Sequence, residues 1–284
     1  MSVQTEPSIR QLAVRTSGAG RAVSHAVVMA KRHLIQIPRI PELIVFATIQ
    51  PIMFVVLFRY VFAGSIIVGG DESYINFLMA GIFVQTVAFG SVATGIGLAA
   101  DLQQGLIDRF RSLPMAPSAV LTGRTLADLV RNMFVVGVMI LVGLLVGFRP
   151  EGSLFGWINA IGFLLLLSFT FSWVGAAVGL AVRSVEVAQS AGFIWLFPFT
   201  FASSAFVNPA NMPGWLQAFV ENQPITQVVN AVRTQILGLS PEAARALSIS
   251  EGSEWKALGW LLAIMVVMVP VAVRLYRRAA ARPR

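Results

Sequence analysis

The chain has 284 residues, of which 12% are charged and 56% hydrophobic, with a mean hydropathy of +0.76. A soluble globular protein carries about 25% charged residues, and a water-soluble fold of this composition would leave large apolar patches against solvent, so the chain belongs in a bilayer. The absence of cysteine removes disulfide frameworks, thiolate metal sites and cysteine nucleophiles, and the only histidines, His25 and His33, sit in a basic N-terminal stretch where no metal role is expected. The formal charge of +8 falls between long apolar runs. It therefore reads as topology signals and anionic-lipid contacts, with no nucleic-acid partner.

In chain order, residues 21–37 carry helical periodicity: Val23, Ala26, Val27, Ala30, Leu34 and Ile37 share one face, and Arg21, Ser24, His25, Lys31 and Arg32 lie opposite. This predicts a helix lying in the membrane interface, stopped before Pro38 and Pro41. No continuous apolar run there ends in a small-residue cleavage site, so no cleaved signal peptide is expected.

A helix crossing about 30 Å of hydrocarbon needs about 20 largely apolar residues. Six segments meet that requirement: 43–62, 74–100, 126–148, 155–182, 191–207 and 255–275. They are continuous apolar runs without the period-2 alternation of barrel strands, which excludes a β-barrel. The expected fold is an all-α integral membrane protein. It is a single domain over 1–284, with residues 1–40 a cytoplasmic N-terminus, 43–275 a six-span bundle and 276–284 a cytoplasmic tail.

Cytoplasmic flanks carry the excess of Lys and Arg. With six spans, 15 basic residues fall on the side of the termini and 4 (Arg149, Arg233, Arg245 and Lys256) on the other, leaving Arg59 and Arg131 in or at the edge of spans. Both termini are thus expected in the cytoplasm.

The charged residues constrain mechanism. An ion-coupled secondary transporter holds its ion with ionisable groups near mid-membrane, and none of the thirteen acids sits mid-span. Asp128 comes closest and is expected to pair with Arg131 at i,i+3, near the cytoplasmic end of the third span. No deep His, Asp or Lys activates Ser168, Ser172, Ser203 or Ser204, so these serines are expected to bond to helices. The chain has no G-x-x-x-x-G-K-[ST] loop, so any ATP that drives it is hydrolysed by another chain.

Two connections stand out by length. Residues 101–125 mix helix formers with alternating charge and a breaking Pro114, far beyond the two to eight residues of a helix hairpin. Residues 208–254 contain two short helix candidates, 213–222 and 224–237, each with proline near its start, which are expected to dip into the outer leaflet.

The strings GLIDRFRSLPMAPSAVLTGRTLADLVRN (105–132) and FPFTFASSAFVNPANMPGWLQAFVENQPITQVVNAVRTQILG (197–238) resemble the membrane subunit of ABC-2-type exporters, in particular the daunorubicin-resistance permease (DrrB-like) group. The second string is the more specific, combining FP, SSAF, P-x-x-MP-x-W and P-I-T in order. The resemblance implies a half-transporter: two six-span subunits, identical or paired with a related one, bound to two ABC ATPase subunits in a bacterial plasma membrane. ATP and Mg would sit on the ATPase, with no cofactor in this chain. It implies an ATPase-coupling helix at Gly105, Leu106, Ile107, Asp108, Arg109, Phe110 and Arg111. It also implies an export path between subunits lined by the first, second and fifth spans, which contribute Phe54, Phe58, Phe77, Phe83, Phe193, Trp195, Phe197 and Phe199. The expected cargo is hydrophobic or amphipathic, a drug-like natural product or a lipid. An ion-coupled drug transporter and a non-transporting membrane scaffold are the alternatives.

Overall fold

A computed structural model describes residues 41–62, 74–105 and 117–281, and every regular element among them is helical. The amphipathic segment expected at residues 21–37 lies outside the described residues. In chain order the helices are α1 (Pro41–Val56, prolonged by a π-helical turn, Leu57–Phe62), α2 (Tyr74–Gln103), α3 (Pro117–Val146), α4 (Leu154–Ala181) and α5 (Val185–Phe201). They continue as α6 (Gly214–Asn222), α7 (Pro224–Leu237), α8 (Pro241–Ala246) and α9 (Ser253–Ala281).

Four of these, α2, α3, α4 and α9, are long and apolar enough to cross a membrane. The first expected span corresponds to a shorter apolar helix, Ala47–Phe62, and the fifth overlaps the 17-residue α5. Pro51 lies inside α1, where it lacks an N–H donor, and the helix then widens into its π-helical turn. The 17 residues of α5 cover only about 25 Å. This helix stops at Phe201, six residues short of the expected end, because the chain turns where the Ser203 hydroxyl bonds back to the Thr200 carbonyl. Conversely, α3 begins nine residues earlier than its apolar run, at a proline in the first helical position, where the missing N–H costs nothing.

The centre of the bundle is α2, whose side chains from Tyr74 to Ala88 are buried almost without interruption. It packs on α4 through small residues. A Cβ added at Gly175 would overlap the carbonyl of Ser91, and one at Gly179 that of Gly95, so the two backbones touch along Ser91-xxx-Gly95 and Gly175-xxx-Gly179. Without a hydrophobic force between helices in lipid, such close approach supplies the packing and weak Cα–H···O contacts that hold helices together. By contrast α9 is peripheral, with Val266 and Val267 on its outer face. Trp255 and Trp260 near its start, and Trp215 on α6, are exposed and suited to the headgroup level.

The two short helices expected between the fifth and sixth spans form as α6 and α7. Of the two, α7 is buried among α2, α4 and α9, with Val228, Val229, Val232 and Ile236 fully inaccessible. Its cap Gln223 explains part of this placement: Oε1 accepts the Ile225 N–H (3.2 Å), while Nε2 donates to the carbonyls of Phe199 (2.9 Å) and Ala202 (3.0 Å) at the end of α5. Gly238, in left-handed conformation (φ 63°), ends α7 and returns its N–H to Thr234. Arg233, counted in the sequence as an outer-loop cation, is the largest fully buried side chain among the described residues.

Candidate functional site

A cavity of about 290 Å³ opens between α1, α2, α3 and α5. Apolar walls come from Phe54, Phe89, Val92, Ile96, Val135 and Phe193. Polar groups interrupt them: Gln50 and Gln189 are exposed, whereas Gln85, Thr86 and Asn132 are buried, and Arg131 is half-buried.

The polar side of the cavity is braced from α3. Asp128 accepts the Thr94 hydroxyl across the α2–α3 contact (2.6 Å) and pairs with Arg131 (3.4 Å). Arg131 Nη2 donates to the carbonyl of Gly90 (3.0 Å), and Asn132 Nδ2 donates to Ser168 Oγ on α4 (2.8 Å). The expected i,i+3 pair of Asp128 and Arg131 is therefore formed. The early start of α3 puts Asp128 within the helix and not at its end, buried and bonded to α2. The serines also bond to helices: Ser203 to Thr200 on its own chain turn, Ser204 Oγ to Asn230 on α7 (2.9 Å), with Ser172 Oγ 3.4 Å from Thr94 Oγ1.

From the cavity a ladder of phenylalanines runs along α1 and α5 toward Phe62, in the π-helical turn after α1, and Phe206, in the turn after α5. Phe89 contacts Phe193 (5.7 Å between ring centroids) and Phe197 (5.4 Å), and Phe197 stacks on Phe201 (5.3 Å, 5°). Phe201 meets Phe206 (5.3 Å), which stacks on Phe58 (4.7 Å, 9°), and Phe58 reaches Phe54 and Phe62. Offset and edge contacts at these separations are the favourable aromatic geometries.

The aromatics expected on the path thus fall into four groups. Phe54 and Phe193 line the cavity, and Phe58 and Phe197 belong to the ladder. Trp195 packs on Phe171 (5.5 Å) and Phe199 on Phe219 (5.9 Å). Phe77 and Phe83 are buried in the core, Phe77 beneath Arg233 and Phe83 edge-on to Phe148. Sequence reasoning missed Phe62, Phe89, Phe201 and Phe206. The signal for two of them was available, since Phe54, Phe58 and Phe62 and likewise Phe193, Phe197 and Phe201 recur at i,i+4, one helical stripe each.

Of the expected coupling segment, Gly105 ends the α2 region in left-handed conformation (φ 68°), and Leu106, Ile107, Asp108, Arg109, Phe110 and Arg111 lie outside the described residues. The base of that loop is clamped: Arg124 Nη1 meets Asp101 Oδ2 at 2.7 Å, joining the end of α2 to the start of α3. Gly97 makes room for it, since a Cβ there would overlap the Arg124 guanidinium.

Residues 25–237 match the ABC-2 type transporter family, a stretch that includes α1 to α7 and therefore the cavity, the ladder and the clamp. The chain belongs to the ABC-2 type transporter family. Among its relatives, this ABC-2 chain is 31% identical over 258 residues to the daunorubicin resistance ABC transporter permease protein DrrB1 of Streptomyces coeruleorubidus, covering 90% of this chain and 87% of that protein. It is 26% identical over 291 residues to the probable doxorubicin resistance ABC transporter permease protein DrrC of Mycobacterium tuberculosis, covering 99% of each. It is also 26% identical over 216 residues to the putative transport permease ycf38 of Cyanophora paradoxa, covering 74% of this chain and 73% of that protein. As an ABC-2 permease with four long apolar helices, the chain is a membrane protein.

Proposed function

We propose that this chain is the permease subunit of an ATP-driven exporter that moves a hydrophobic or amphipathic molecule out of the cytoplasm or inner leaflet of a bacterial plasma membrane. The observation that carries this reading is the phenylalanine ladder, which joins the cavity to the far ends of α1 and α5 within the stretch that matches the ABC-2 family. A row of aromatic faces offers a flat apolar cargo successive contacts of similar strength, and none of them holds a charge. The names of the relatives, which speak of daunorubicin and doxorubicin resistance, support a drug-like cargo over a lipid.

In this reading both termini face the cytoplasm, a second permease subunit completes the path, and an ABC ATPase docks on residues 105–111. Chemistry stays on that ATPase. An ion-coupled transporter is the second reading, favoured by the burial of Asp128 inside α3.

Transport of a fluorescent hydrophobic drug into inverted vesicles decides between them. The exporter requires hydrolysable ATP and the partner ATPase and continues after a protonophore collapses the proton gradient. Flux that ignores nucleotide, stops with the protonophore and is abolished in a folded Asp128→Asn variant overturns it.

A further inference from the structure

The arginines in or beyond the spans find different partners. Arg131 pairs with Asp128, Arg245 pairs with Glu251, and Arg233 is enclosed in the core. Arg59 and Arg149 have no carboxylate partner among the described residues, and the structure brings both to the same helix end. There α3 gives way to Gly147 (φ 105°), and Arg149 Nη1 donates to the carbonyls of Leu144 and Phe148 (2.8 Å each). Arg59, in the π-helical turn after α1, reaches the Val146 carbonyl through Nε (3.5 Å). The backbone N–H of Arg149 donates to Asn76 Oδ1 on α2 (3.0 Å), which fixes its position.

Capping of α3 does not use up these groups. A helix C-terminus carries about half a negative charge, and two full positive charges stand against it. Each guanidinium spends one nitrogen on the helix, which leaves both Nη atoms of Arg59 and the Nε and Nη2 of Arg149 without a hydrogen bond. The helix that supplies the carbonyls also presents an unpartnered apolar stripe. Phe134, Gly137, Leu141 and Leu145 follow one another three or four residues apart, all exposed, Leu145 at 86%. From residue 134 to residue 145 the stripe runs about 16 Å, close to half of the ~30 Å hydrocarbon core.

We propose that Arg59 and Arg149 bind the phosphate of an anionic phospholipid whose acyl chain lies along the stripe of residues 134–145. A guanidinium is weakly hydrated and offers parallel N–H donors that match phosphate oxygens. A zwitterionic lipid would bring its own cation beside two arginines, so the site selects for net negative charge. A soluble phosphate ester shares the headgroup chemistry but has nothing to lay on the stripe, which assigns the site to lipid. This goes beyond the exporter reading and depends on neither cargo nor nucleotide.

The test is native mass spectrometry of the full-length protein in detergent with equimolar phosphatidylglycerol and phosphatidylcholine of identical chains. Wild-type protein is expected to retain phosphatidylglycerol at least about tenfold over phosphatidylcholine, since each arginine contributes about fivefold. In Arg59→Gln/Arg149→Gln the preference is expected to fall within about twofold of equality. The charge-matched control Arg183→Gln/Arg277→Gln, at two exposed positions elsewhere, should keep the wild-type preference. An excess of glycerol 3-phosphate should leave the bound lipid in place.

Equal retention of the two lipids by the wild-type protein overturns the proposal without reference to any variant. So does a preference that survives in Arg59→Gln/Arg149→Gln, or one lost equally in the control, which would trace it to overall charge. Displacement by glycerol 3-phosphate assigns the arginines to a soluble anion and also overturns it. Since none of these measurements involves flux, their failure is separate from failure of the exporter reading.

Discussion

The guanidinium of Arg233 lies 3.6 Å from the centroid of the Phe77 ring and donates to the carbonyl of the same residue through Nε (3.2 Å) and Nη2 (3.1 Å). Nη2 also reaches the Ser204 carbonyl (2.8 Å) and Nη1 reaches Asn230 Oδ1 (3.3 Å). One side chain on α7 therefore ties the start of α2 to the turn after α5. Among the described residues no carboxylate pairs with it, so carbonyl dipoles and an aromatic face carry the charge.

Replacing this residue should be costly in a graded way. An ammonium is a single donor centre and lacks the planar spread by which Nε, Nη1 and Nη2 reach three acceptors at once, so Arg233→Lys is expected to lose about 2 kcal/mol of stability, and Arg233→Met about 3 kcal/mol or more. Phe77→Leu, which keeps both hydrogen bonds, should lose less than either substitution at Arg233. Thermal unfolding of the purified protein in detergent measures the order; a stable Arg233→Met protein would show that the fork is dispensable.

The α2–α4 contact makes a second prediction. Gly179→Leu would push a side chain into the Gly95 backbone, which cannot yield, and it is expected to abolish recovery of folded protein. Gly137, on α3, has nothing within 4 Å of an added Cβ, so Gly137→Ala should leave both yield and melting temperature unchanged. Size-exclusion profiles of the two variants side by side provide the comparison.

The Asp101–Arg124 clamp at the base of the proposed coupling loop is expected to matter for coupling more than for folding. Arg124→Gln should reduce drug-stimulated ATPase activity of the assembled transporter several-fold while leaving the permease folded. Gly97→Ala, which displaces the same guanidinium without removing it, should produce the same defect. Wild-type stimulation in both variants would separate the clamp from coupling.

Topology is open to labelling because the chain is free of cysteine. Ser240 caps α8 and is exposed, as is Arg183 between α4 and α5. With both termini in the cytoplasm, impermeant maleimide added to intact cells should modify Ser240→Cys and spare Arg183→Cys until the cells are lysed. The opposite pattern would invert the orientation.

Long apolar runs made the membrane class, the helical fold and the positions of the long helices readable from the sequence, because a bilayer core imposes a length and an apolarity that local composition must meet. The prolines and periodicity of 213–237 likewise placed α6 and α7 within a residue of their ends. Family membership was readable too, from the ordered motifs of residues 197–238.

What only the tertiary structure decided is where each side chain faces. Arg233 reads in the sequence as a loop cation and becomes the most deeply buried charge among the described residues, since α7 turns inward to meet Phe77 and Ser204. Phe77 and Phe58 are both phenylalanines in apolar spans, yet one is core and the other lies on the ladder, because α2 is surrounded while α1 is packed on one side. In a span that is apolar all round, hydrophobic periodicity carries little information about direction. Direction came instead from close backbone contacts such as Gly95 with Gly179, and from polar bonds such as Thr94 with Asp128, which pair residues far apart in the chain.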